Sequence, residues 1–150
     1  MDTESALRRE LGTLFAEQRL AVLSTQHRGQ PYSSLVAFAA TDDIRYLVFA
    51  TSRSTRKYHN FSRDSRVSLL IDNRSNRESD FHKAMAATAV GSAGEVEEKN
   101  RRTILELYLA RHPHLQEFAA SPTCALVRVA IRTYYVVRTF QNVMELHMAP

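Results

Sequence analysis

The residues that could do chemistry gather in one stretch, Phe49-Ala50-Thr51-Ser52-Arg53-Ser54-Thr55-Arg56-Lys57-Tyr58-His59-Asn60. Hydroxyls (Thr51, Ser52, Ser54, Thr55) stand there beside cations (Arg53, Arg56, Lys57). This mixture recognises a phosphate dianion. Hydroxyls and backbone N–H groups donate short hydrogen bonds, Arg offers a planar fork, and Lys adds a point charge. If Ser54 or Thr55 caps a following helix, that helix aims its free N–H groups and positive dipole end at the same spot. The same residue types also suit a solvated strand–helix junction, and there is no Gly-rich loop to decide between the two.

Several elements must position this turn. Ile44 to Thr51 reads as the strand that feeds it, Arg56 to Ser62 as a short helix that leaves it, and Arg66 to Asp72 as the next strand. Upstream, Leu7, Leu11, Leu14 and Phe15 fall on one face of a helix over Glu4 to Gln18. Leu20 to Thr25 and Tyr32 to Ala40 read as an antiparallel hairpin around Gln26-His27-Arg28-Gly29-Gln30. Downstream, Asn73 to His82 reads as a loop and Ala84 to Glu97 as a long strand, with Gly91 and Gly94 allowing bends or bulges. Asn100 to Arg111 is a helix. Cys124 to Arg138 is β-rich with a bend near Arg132-Thr133, and Asn142 to His147 is a short last strand. Neighbouring strands outnumber helices, which predicts a mainly β protein: a six- to seven-stranded antiparallel barrel with flanking helices, in one domain over residues 1–150.

Composition narrows the partners. The net charge of +4 over 150 residues favours anionic ligands, and the apolar fraction of 44% is enough for a core. The excess charge concentrates in Arg53, Arg56, Lys57, Arg63 and Arg66, against one acid, Asp64. Such a local patch suits a small anion at least as well as a long polyanion, so neither nucleic acid nor membrane is expected as a partner. Cys124 is the only cysteine. It reads as an inert core thiol, and the N-terminal residues lack a signal-peptide apolar run, which together suggest a reduced, cytoplasmic protein. Six histidines are scattered without H-E-x-x-H or cysteine partners, so no metal site is expected. There is no P-loop, G-x-G-x-x-G or G-x-S-x-G. Of Tyr134 and Tyr135, one should point into the barrel and the other out.

Taken in order, several stretches resemble one family. They are Leu23-Ser24-Thr25 with Gly29-Gln30-Pro31-Tyr32-Ser33-Ser34, then Tyr46-Leu47-Val48-Phe49-Ala50-Thr51, then Thr55-Arg56-Lys57, then Asn60-Phe61 and Ser65-Arg66-Val67-Ser68-Leu69-Leu70-Ile71-Asp72. Together they look like the pyridoxamine 5'-phosphate oxidase-like family, the FMN-binding split barrels. The resemblance implies FMN in a cleft at a homodimer interface. Thr51, Thr55, Arg56 and Lys57 would hold its phosphate and ribityl end. Ser34, Leu35 and Val36 would run along the ring, mostly through backbone.

The substrate half departs from that pattern. Where true pyridoxamine phosphate oxidases carry an Arg-x-His pair, this chain reads Val143-Met144-Glu145. Their flavin-contacting Gln falls at about Ala86, and their ring-stacking Trp at Val137 or Phe140, in a chain with no Trp. The resemblance therefore implies an FMN-dependent oxidoreductase of unassigned small-molecule substrate and unknown catalytic residues, not a pyridoxamine phosphate oxidase. Arg74, His82 and Phe140 are candidates for the substrate side. Tyr108-Leu109-Ala110-Arg111-His112-Pro113 looks like a helix end of haem-utilisation relatives, and other relatives bind a deazaflavin. A haem-binding or haem-degrading protein and a deazaflavin-dependent reductase are the alternatives.

Overall fold

Period-two alternation builds the barrel wall. In strand β1 (Leu20–His27), Ala21, Leu23 and Thr25 are buried and the residues between them face outward. The computed structural model describes residues 2–139 and 142–150. It adds β2 (Gln30–Ala40), β3 (Tyr46–Ser52), β4 (Arg66–Asp72), β5 (Met85–Glu95), β6 (Cys124–Arg138) and β7 (Asn142–His147). The strands are ordered β3-β2-β1-β4-β5-β6-β7 and are antiparallel throughout. A further β3–β6 pairing closes six of them into a barrel, as the sequence predicts. Phe140 lies outside the described residues.

Helix α1 (Thr3–Glu17) starts at Asp2, whose carboxylate accepts from the Ser5 N–H at 2.6 Å. Its buried face, Leu7, Leu11, Leu14 and Phe15, packs onto one end of the barrel. Phe15 lies 5.6 Å from Tyr134 and 6.0 Å from Phe38 between ring centroids. Burying each such side chain is worth about 1.5–3 kcal/mol. At the other end α2 (Arg56–Arg63) inserts Phe61, edge-on to Phe49 at 6.1 Å. After the short α3 (Asp80–Lys83), α4 (Glu98–Arg111) and α5 (Gln116–Ala120) cover the outside of β3 and β6. There Ile104, Tyr108 and Ala119 join a second core with Val48, Ala50 and Leu126.

The structure departs from the sequence reading at a few joints. The hairpin loop is only Arg28-Gly29, with both residues at positive φ (52° and 83°), the conformation of a tight primed turn that Gly29 accepts without strain. Strand β3 begins at Tyr46, because Ile44 turns at φ 53° and donates its N–H to the Thr41 carbonyl. The loop 73–82 ends in α3, around Asp80, which accepts from the N–H groups of Ser75 and Asn76. The bend in β6 is a bulge. Val90 faces Thr133 and Gly91 faces Ile131, leaving Arg132 as the extra residue. A Cβ on Gly91 would lie 2.1 Å from the Ala130 carbonyl oxygen, so the bulge admits only glycine there.

Tyr134 is fully buried and donates to the Ile44 carbonyl at 2.7 Å, while Tyr135 is exposed, as alternation requires. Cys124 is buried, and burial pushes its thiol pKa up, which fits an inert core thiol. Among the described residues, no helix is long and apolar enough to cross a membrane.

Candidate functional site

The barrel wall is split beside the cationic turn. Strand β2 runs against β1 from Gln30 to Ala37 but meets β3 only through Phe38, Ala39 and Ala40. Beyond Phe38 the two strands part, and the far side of β2 meets no strand among the described residues. In an antiparallel pair alternate residues turn their N–H and C=O groups away from the partner. Ala37 is in that phase: its carbonyl accepts from the Tyr108 hydroxyl of α4 at 3.1 Å. Leu35 and Ser33 follow in the same phase, so their backbone donors and acceptors face the opening. Ser34 and Val36 are in the opposite phase. Val36 points its side chain into the core, and the Ser34 hydroxyl is sealed from solvent without a hydrogen-bond partner.

Across the opening, β3 ends in the turn. Thr55 is the N-cap of α2, its side chain accepting from the Tyr58 N–H at 3.3 Å. Buried Thr51 shares a 2.9 Å hydrogen bond with Thr55, and the Thr55 hydroxyl also reaches the Ser52 carbonyl at 3.0 Å. The two threonines thus brace the turn. Of the expected cap candidates Thr55 takes the role, while Ser54 bonds Ser52 at 2.9 Å.

The cations of the patch divide into two kinds. Arg53 is held by Glu95 at 3.2 and 2.5 Å and donates to the Pro122 carbonyl at 2.8 Å. Glu95 also accepts from the Tyr58 hydroxyl at 2.9 Å. The Arg53 guanidinium, then the Tyr58 hydroxyl, hold the Glu95 carboxyl below its usual range against the opposing effect of burial. Arg66 is likewise taken by Asp64, and Gln26 donates to that carboxylate at 2.6 Å. Arg56 and Lys57 have no ion-pair partner among the described residues. Arg56 lies instead over the ring of Tyr32, at 5.4 Å, joining the start of α2 to the open edge of β2.

Beside Arg56 an open depression of about 470 Å³ is lined by His27, Ser54, Thr55, Arg56, His59 and Asn60. The rings of His27 and His59 lie 6.0 Å apart at 56°. Asn60 is buried at its base and donates to Thr25 at 3.0 Å. Nothing in the order of residues joins His27 to the turn, because the closing end of a hairpin and a helix residue 32 positions later meet only in the fold.

Other expected residues lie elsewhere. Arg74 forms an ion pair with Asp72 at 3.0 Å, at the end of β4 remote from Arg66. His82 lines a separate cavity of about 420 Å³ with Arg9, Glu10 and Arg138. Within one chain, neither is brought to the turn. His112 is buried, its Nε2 lying 2.7 Å from the Phe38 carbonyl oxygen. Burial, then the positive charge of Arg111 and the nearby His114, lower its pKa. It ties α4 to β2. Among the described residues, no group of three or more His, Cys, Asp or Glu could hold a metal.

The donor set fits a flavin carrying a terminal phosphate. Arg56 and Lys57, without ion-pair partners among the described residues, and the first turn of α2 would supply cations and N–H groups to a phosphate. The edge of β2 supplies alternating backbone groups for a polar, planar ring.

The sequence profile described as pyridoxamine 5'-phosphate oxidase matches residues 7–138 of the chain. Among solved structures, the chain is similar to a heme binding protein from Mycobacterium smegmatis, with a TM-score of 0.84 and 15% identity over 98% of this chain and 59% of that one. It is similar to General Stress Protein 26 from Bacillus anthracis str. Sterne, with a TM-score of 0.73 and 21% identity over 95% and 98% of the two chains. It is also similar to a FAD-binding protein from Mesorhizobium loti, with a TM-score of 0.68 and 17% identity over 85% and 90%. The chain spans less than two thirds of the length of the M. smegmatis protein. At these identities the likeness carries the fold alone. No curated protein sequence matches the chain.

Proposed function

The chain belongs to the pyridoxamine 5'-phosphate oxidase family, and from that premise we propose that it is a flavoprotein. In this reading it holds FMN by the phosphate at the Thr51–Lys57 turn, works as a homodimer, and acts as an oxidoreductase on a small molecule. The observation that carries the reading is the sorting of cations. Arg53 and Arg66 are spent on Glu95 and Asp64, whereas among the described residues Arg56 and Lys57 stand without a counter-ion, at a helix start beside a strand edge that pairs with no other described strand. An anion completes that arrangement.

When bound, the flavin supplies the electron-transfer chemistry. The chain's part is to hold and orient it. Arg56 and Lys57 neutralise the phosphate, and Thr51 and Thr55 keep the turn in place. The backbone of Leu35 and Ser33 offers hydrogen bonds to the ring edge. Pyridoxamine phosphate is not the proposed substrate, since Val143-Met144-Glu145 replaces the basic substrate pair.

The homodimer is supported by the outer wall of the barrel. Strand register sets Leu35, Val22, Leu70, Thr88 and Tyr135 in one row across five strands. Leu35 is 67% exposed and, in the adjacent row, Leu20 and Val143 are 54% and 61% exposed. A mainly apolar wall with Leu35, Leu20 and Val143 exposed is suited to a second copy.

The test is titration of apo-protein with FMN, comparing wild type with the R56A/K57A double variant. Saturable binding that weakens at least about tenfold in the variant, with an unchanged circular dichroism spectrum, is expected for two charge-assisted contacts. Equal affinity in both proteins removes the phosphate from this turn.

A second reading, haem binding, is favoured by one observation: His27 and His59 share a depression with Arg56. An imidazole ligates haem iron, and a guanidinium suits a propionate. A Soret band on haem addition, lost in H27A or H59A, would establish it over the flavin reading.

A further inference from the structure

The depression beside the phosphate turn is larger than one phosphate needs. At about 470 Å³ it lies in the range of pockets that house a whole small-molecule ligand. Its lining is also one-sided. Ser54, Thr55 and Asn60 offer polar groups, Arg56 a fixed cation, and His27 and His59 rings that can stack or donate; no carboxylate lines it. The nearest acids of the turn are already engaged, Asp64 by Arg66 and Gln26, and Glu95 by Arg53 and Tyr58. Neither His27 nor His59 has an ion-pair partner among the described residues.

We propose that this depression is a subsite for the adenylyl half of a flavin dinucleotide, so that the chain binds FAD more tightly than FMN. The inference rests on the flavin reading above and extends it. In this arrangement Arg56, which bridges the β2 edge and the depression, takes the phosphate next to the ribityl chain. The second phosphate and the base continue past it toward His27 and His59. The tilted imidazoles, 6.0 Å apart, offer one ring face for stacking and a ring N–H for a phosphate or base acceptor. They are held from separate elements. His27 pairs with Gln30 at the mouth of the two-residue turn, and His59 sits in α2, its N–H donated to the Thr55 carbonyl at 3.1 Å. Their backbones are therefore held by two elements, and the two exposed rings meet at the rim of the depression.

The experiment titrates apo-protein with FMN and with FAD, for wild type and for the H27A/H59A double variant. Wild type should bind FAD about tenfold more tightly than FMN, the size of effect that stacking one base supplies. The double variant should lose that preference and keep its FMN affinity. A H27F/H59F variant, which keeps ring faces but loses the N–H donors, should retain part of the preference. Equal wild-type affinities for FMN and FAD would overturn the proposal, and so would a double variant that still prefers FAD. A double variant that loses both flavins equally would place the imidazoles on the shared phosphate and also overturn it. Failure of wild type to bind FMN at all would remove the underlying flavin reading as well, and is read separately in the FMN arm.

Discussion

The guanidinium of Arg56 lies over the ring of Tyr32 at 5.4 Å, and this contact spans the place where β2 and β3 part. A cation at the start of a helix is thereby aimed at an open strand edge instead of into solvent. The contact pre-positions the charge before any ligand arrives.

Replacing Tyr32 by Ala should leave the barrel intact, because the residue is 38% exposed. It should weaken FMN binding about two- to fivefold, as Arg56 loses a cation–π contact worth about 0.5–1 kcal/mol at an exposed site. Fluorescence titration reads the change. Y32F should behave as wild type.

Gly91→Ala should be among the most damaging single-methyl changes in the chain. The new Cβ meets the Ala130 backbone oxygen at 2.1 Å, and backbone at a bulge between two long strands has little room to give. A loss of about 3 kcal/mol or more in urea unfolding is expected from overpacking against backbone. Gly94→Ala, with open space around it, serves as the control and should be nearly neutral.

Buried His112 should make the fold acid-sensitive. Its folded pKa lies below the ordinary value near 6.5, chiefly through burial. Its contribution is therefore fully present above about pH 6.5 and is lost as pH falls toward the folded pKa, since the unfolded chain takes up the proton first. Thermal melts from pH 7.5 down to pH 5 should show the midpoint falling, and H112Q should flatten that fall. An identical slope in both proteins would assign the acid sensitivity elsewhere.

Most of the strands and the hydroxyl-and-cation turn between a strand and a helix were readable from the chain; the division of labour among the cations was not. Arg66 to Asp72 forms the predicted strand, with Val67, Leu69 and Ile71 buried in alternation and Ser68 and Leu70 on the outer face. Thr55 was one of two cap candidates with Ser54, and the structure gives it the role. But Arg53 and Arg56 look alike in sequence, and only the return of Glu95 on β5 neutralises one of them. His27 joined the site for a similar reason, through a hairpin mouth that faces a helix distant in sequence. The bulge at Arg132 was foreseen as a bend, but its dependence on Gly91 required the pairing of β5 with β6.

The outer apolar row predicts assembly. Wild type should sediment as a dimer at micromolar concentration, and Leu35→Glu, placing a charge at the exposed β2 end of that row, should shift it toward monomer with little change in circular dichroism. A wild-type monomer that binds FMN tightly would contradict an interface site.

The most direct test of the central claim is the absorbance spectrum of purified protein after incubation with FMN and removal of excess by desalting. The account predicts the visible bands of an oxidised flavin retained with the wild-type protein and lost from R56A/K57A. Protein that emerges without flavin bands after reconstitution would contradict it.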